Sequence, residues 1–151
     1  MPFDDLGVRE FLRRSMVTLV ATRSRSGVPA LTPLWFIELY GRIFTATGAA
    51  TIAVRNLTAD PRVALLFYAE RAGDAERVLE VRGTATCRRG MPSLPQLLRL
   101  AGKYYLSPGG ARCELMHRRL WRLRTRYYAQ GEAAVIEVTP SAAQFVACPR
   151  G

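Results

Sequence analysis

The chain has 151 residues, of which 49% are hydrophobic and 23% charged, and its mean hydropathy is +0.01. That composition suits one globular domain around one core, and it excludes a mainly disordered or fibrous chain. The formal net charge is +10, and no apolar run approaches the ~20 residues of a membrane-spanning helix.

Asp4 to Arg14 reads as a short helix, with Asp4 and Asp5 at its N-terminus and Arg13 and Arg14 at its C-terminus. This opening stretch carries both signs of charge and lacks the apolar segment of a signal peptide. Met16 to Thr22 is β-branched and apolar, a first strand. Ser24-Arg25-Ser26-Gly27 is a turn. Ala30 to Leu39 is a second strand whose centre, Leu34-Trp35-Phe36-Ile37, is apolar on both faces. One face can line a barrel while the other meets a partner subunit. Pro33 cannot donate to a ladder, so the sheet is expected to open locally there.

Tyr40-Gly41 turns the chain into a third strand, Arg42 to Thr47, which leads into a short helix from about Ala50 to Ala59, stopped by Asp60-Pro61. Arg62 to Glu70 is a fourth strand, Arg71 to Glu76 a polar loop, and Val78 to Cys87 a fifth, alternating strand. Ser93 can cap a helix reaching about Tyr104. Ala111 to Tyr127 fits helix better than strand, because Met116, Leu120, Leu123 and Tyr127 recur at helical spacing. Ala133 to Thr139 is a sixth strand, which Pro140 interrupts, and Ala143 to Ala147 can form a seventh. Hairpin-linked strands with one short helix between the third and fourth imply a mainly β chain with helical additions, an α+β antiparallel barrel.

The positive charge is concentrated. Arg88 to Arg126 holds ten cations against one acid, Glu114, and the remainder is nearly balanced. The chain therefore reads as a single domain, 1–151, with a basic helical insertion at about 88–130. Such a segment can attract nucleic acid, an anionic membrane face or an anionic cofactor, or it can simply be a solvated helix face.

Several chemistries lack their residues. The sole histidine, His117, cannot build a metal cluster. Cys87, Cys113 and Cys148 are widely spaced and read as reduced thiols in a cytoplasmic protein. There is no phosphate-binding glycine loop and no nucleophile elbow. No side chain is assigned a catalytic role, and an enzyme of this composition would take its reactive atom from a bound cofactor.

One constellation can hold an anion. Thr45-Ala46-Thr47-Gly48-Ala49-Ala50-Thr51 runs from strand into helix, and a helix N-terminus presents unpaired N–H groups. Thr45 and Thr47 share a strand face; Thr51 and Arg55 share a helix face. The bland alternative makes Thr47 a helix cap and Arg55 a surface cation.

Four runs of sequence then carry a resemblance. Gly27-x-Pro29-x-x-Thr32-Pro33-Leu34-Trp35-Phe36, Gly41 to Thr47, Arg55-Asn56-Leu57-x-x-Asp60-Pro61-Arg62 to Leu65, and Glu80 to Ala85 together resemble the pyridoxamine 5′-phosphate oxidase-like family of flavin-binding split barrels. That group includes FMN proteins and an actinobacterial set using the deazaflavin coenzyme F-420. The resemblance implies a six-stranded antiparallel split barrel of FMN-binding type and a homodimer with two cofactors at the subunit interface. By position it places Thr32, Pro33, Leu34 and Trp35 beside the ring system, and Thr45, Ala46 and Thr47 along the ring and ribityl chain. Arg55 and Asn56 fall at the phosphate, next to Thr51. Where the family commonly has a phosphate-binding lysine this chain has Ala53, so either Arg55 suffices, or a cation of the basic segment, Lys103 or one from Arg118 to Arg126, substitutes, or cofactor binding has decayed. The implied activity is hydride transfer between FMN, or F-420, and a small organic substrate. Two other readings are a non-catalytic carrier of a flavin- or haem-type ligand and nucleic-acid binding through the Arg-rich helix. The latter is disfavoured, since its aromatic residues also fit a buried helix face.

Overall fold

The computed structural model describes residues 2–68, 77–104 and 132–147. Six strands close into one antiparallel barrel: β1 (Val17–Arg23), β2 (Pro29–Leu39), β3 (Arg42–Gly48), β4 (Arg62–Tyr68), β5 (Arg77–Arg89) and β6 (Ala133–Ala147). Around the barrel they run β1-β2-β3-β6-β5-β4, and β4 returns to β1. Three helices decorate it: α1 (Leu6–Arg14), α2 (Ile52–Ala59) and α3 (Leu94–Tyr104). The Asp5 carboxylate caps α1 by accepting from the Gly7 N–H at 2.8 Å. Tyr40 and Gly41 both take positive φ, 54° and 72°, the signature of a tight primed hairpin turn between β2 and β3.

Alternation fills the barrel. Val20, Phe36, Ile43, Leu65, Phe67, Leu79, Val81, Ile136 and Val138 are fully buried in one cluster. The outer face of β1, β2 and β4 is also apolar. Register places Val17, Leu19 and Ala21 opposite Trp35, Pro33 and Leu31, and Ala64 and Leu66 beside Ala21 and Leu19.

The sixth and seventh strands expected from the sequence are one. β6 runs fifteen residues through Pro140. A register shift between Arg82 and Gly83 absorbs it: Arg82 faces Ala142, Gly83 faces Pro140, and Ser141 is the extra residue of a bulge. β6 pairs with β3 only as far as Val138, so Pro140 lies beyond the second ladder, where a missing donor is tolerated. Glycine is required opposite the bulge, because a Cβ on Gly83 would lie 2.3 Å from the Thr139 carbonyl oxygen.

The expected opening at Pro33 is present. β2 pairs with β1 from Pro29 to Trp35 and with β3 only from Phe36 onward, so Pro33 sits where one side of the strand is unpaired. The rung that would continue the β1–β2 register, Met16 with Phe36, is taken by Tyr104 of α3. Its hydroxyl accepts from the Phe36 N–H at 2.9 Å and shares its proton between the carbonyls of Met16 and Phe36, both at 2.7 Å. Its ring stacks on Trp35 at 4.5 Å between centroids and 5° between planes. Part of the outer face of β2 that sequence assigned to a partner subunit is thus covered by the chain's own helix. The helix expected at Ala111 to Tyr127 lies outside the described residues.

Candidate functional site

A cavity of about 820 Å³ opens between the β1–β2 turn, α2, the end of β5 and the start of β6. It lies within the roughly 300–1,000 Å³ range of small-molecule sites. The β1–β2 turn contributes Ser24, Arg25 and Ser26, and it is pinned by hydrogen bonds from Ser24 N–H to the Val28 carbonyl and from Gly27 N–H to the Ser24 carbonyl, both 2.9 Å. From the β3–α2 junction and α2 come Ala49, Ala50, Val54, Arg55 and Asn56; β5 contributes Cys87 and Arg89, and β6 Ala134. Three arginines from three separate elements, Arg25, Arg55 and Arg89, therefore line one cavity, and the described lining residues include no acid.

The predicted residues divide by strand alternation. Thr45 and Thr47 do share a face, but both are buried on the barrel side. The Thr45 hydroxyl has no hydrogen-bond partner among the described residues. Ala46, between them, lies on the outer side. On β2, Pro33 and Trp35 face outward, whereas Thr32 and Leu34 share the side of buried Phe36. Thr47 is not the helix cap; Thr51 holds that position, and its hydroxyl turns back to donate to the Gly48 carbonyl at 2.9 Å instead of capping α2. Arg55 is exposed at the cavity edge. Asn56 is buried and ties α2 to β1 by donating from Nδ2 to Thr22 Oγ1 at 3.0 Å. Ala53, at the position where the resemblance expects a lysine, is fully buried.

Lys103 is placed elsewhere. Its Nζ lies 3.5 Å from the Phe36 ring centroid and donates to the Leu12 carbonyl at 3.3 Å. It edges a separate cavity of about 630 Å³, shared with Arg9, Arg13, Arg99 and Glu38. Within one chain it does not join Arg55. Arg118 to Arg126 lie outside the described residues.

Arg25, Arg89 and Cys87 were not singled out from sequence as site residues. Arg25 sits in a stretch whose only local signal is turn chemistry, and Arg89 is one cation among many. Burial pushes the Cys87 thiol above its ordinary pKa, so at neutral pH it is a small apolar wall, not a nucleophile. Among the described residues there is no cluster that could hold a metal ion, and no helix is long and apolar enough to cross a membrane.

A closed six-stranded antiparallel barrel with a local split at β2 places the chain structurally among the split barrels. The pyridoxamine 5′-phosphate oxidase family matches residues 7–147, and the chain belongs to that family. No curated protein matches it. Among solved structures it is similar to an F420 reductase at 20% identity, with a TM-score of 0.61 and coverage of 90% of this chain and 94% of the other. A conserved hypothetical protein from Mycobacterium tuberculosis is 19% identical, with a TM-score of 0.65 and coverage of 97% and 86%. The haem storage protein HutZ from Vibrio cholerae is 15% identical, with a TM-score of 0.61 and coverage of 97% and 95%. At these identities the likeness is one of fold.

Proposed function

We propose that the protein is a homodimeric oxidoreductase that binds FMN or the deazaflavin coenzyme F-420 and acts on a small organic substrate. The observation carrying this reading is the cavity beside α2, edged by Arg55 and two further arginines and walled by Val54 and several alanines, in a chain of this family. The donor set suits a phosphate ester with an apolar body: guanidinium forks match phosphate oxygens, and alanine walls let a flat ring approach the backbone. When bound, the ring system supplies the hydride chemistry. Arg55 holds the phosphate, and Val54 with the alanines excludes water from the ligand body. Pro33, on the exposed outer side of β2, flanks the ring at the subunit seam, while Trp35 is held by its stack on Tyr104.

The outer apolar face formed by Val17, Leu19, Ala21, Leu31, Pro33 and Leu66 supports the homodimer. Leu31, near the start of β2, is 60% exposed in the single chain and continues this patch with Val28, also 60% exposed. A carrier of a flavin- or haem-type ligand is the second reading, favoured by buried Ala53 standing where the resemblance expects a phosphate-binding lysine.

The deciding experiment titrates the purified protein with FMN and with F-420 and follows absorbance and fluorescence. Saturable uptake of one of them is expected, and Arg55→Ala should weaken it about tenfold. Uptake of neither at millimolar supply overturns the reading. Reductant-dependent turnover of quinone, nitro or enone substrates separates the enzyme from the carrier.

A further inference from the structure

We infer that Arg25 and Arg89 complete, with Arg55, a three-guanidinium anion site, and that Glu132 competes with the ligand for Arg89. The ligand class is an organic phosphate monoester or diphosphate. This deepens the reading above, which rests on Arg55.

Charge placement is the first argument. Arg55 is the fourth residue of α2, near the positive end of its dipole, and the first turn of α2 carries no acid. Cations near a helix N-terminus are electrostatically disfavoured. Adding Arg25 from the hairpin and Arg89 from β5 around the same cavity makes the local field more positive still. An anion in that cavity relieves Arg25 and Arg55, and it competes with Glu132 for Arg89. A phosphate monoester carries about two negative charges at neutral pH and a diphosphate more.

The second argument is what Arg89 does without ligand. Its Nη1 donates to Glu132 at 3.0 Å, with the two side chains 79% and 67% exposed. Such a pair is easily exchanged for a stronger acceptor. Glu132 is fixed at the cavity edge, because its carbonyl accepts from the N–H of lining residue Ala49 at 2.8 Å. A guanidinium held beside the cavity by a solvated carboxylate is thereby poised to transfer to phosphate oxygens.

The test uses inorganic pyrophosphate as the probe, by calorimetry at constant ionic strength, and then FMN against riboflavin. Arg25→Gln and Arg89→Gln should each weaken pyrophosphate about fivefold. Glu132→Gln should tighten it about twofold, because a competing charge is removed. All three positions are exposed, so the variants should melt as the parent does. Riboflavin, which lacks the phosphate, should be indifferent to all three changes. Pyrophosphate affinity unchanged in both arginine variants, or absent in the parent protein, overturns the inference. If FMN still binds then, the cofactor reading stands alone. If pyrophosphate follows the expected pattern and no ring ligand is taken up, the anion site stands and the cofactor reading falls.

Discussion

Thr45 is a polar residue on the core side of its strand. It is 2% exposed, its side chain lies on the barrel side of β3, and its hydroxyl has no partner among the described residues. A buried unsatisfied hydroxyl costs about 1–3 kcal/mol, and valine has nearly its shape and suits a strand. Thr45→Val should therefore raise unfolding stability by about 1 kcal/mol in urea denaturation and leave cofactor affinity unchanged. A loss of affinity would return Thr45 to the ligand site. Asp60 behaves oppositely. The Arg62 guanidinium, and then the Arg62 N–H, hold its carboxyl down to about 2 from 3.8. A carboxylate depressed in the folded state stabilises it above the unfolded pKa and loses that contribution as pH falls toward the folded value. Compared with Asp60→Asn, the parent should hold a constant advantage above about pH 5 and lose it between about pH 4 and pH 2. Denaturation midpoints measured across that range check the sign; a gap that widens on acidification refutes it.

α3 is the element whose role was least visible in advance. Its Tyr104 is 1% exposed and its hydroxyl satisfies the Phe36 N–H that no neighbouring strand reaches. Tyr104→Phe keeps the stack on Trp35 but strips that donor of its acceptor, which should cost about 2 kcal/mol by equilibrium denaturation. A neutral change would mean the split closes without the hydroxyl. The strands themselves were legible, because Leu79, Val81 and Ala85 alternate with Glu80, Arg82 and Thr84, and hairpins follow such runs directly. Pro140 misled because a bulge depends on the partner strand: only Gly83, more than fifty residues earlier, makes room for it. Trp35 misled for the same reason, since local pattern shows that an outer face is apolar but not which element covers it. The corner at Arg55 was readable from its own helix, whereas Arg25 and Arg89 join it only once β1, β2 and β5 have been brought together by the barrel.

At the scale of the whole molecule, the interior of the barrel is complete but its outside is not. α3 covers Trp35, yet Val17 is 38% exposed and Val28 and Leu31 are each 60% exposed on or beside the β1–β2 ribbon. An apolar sheet face of this kind gains about 25 cal/mol for each Å² removed from water, and a second copy supplies a matching surface by two-fold symmetry. The protein should therefore sediment at about twice its 16.8 kDa chain mass. Leu31→Glu puts one carboxylate on each side of that contact, where like charges meet in a drying interface. Leu31 makes no contribution to the barrel core, so the variant should fold and melt near the parent while running as a monomer at micromolar concentration. If the ring lies in the seam between subunits, FMN or F-420 affinity should fall together with dimer content, although Arg25, Arg55 and Arg89 are untouched. A monomeric variant that binds the ring as tightly as the parent would place the whole ligand within one subunit.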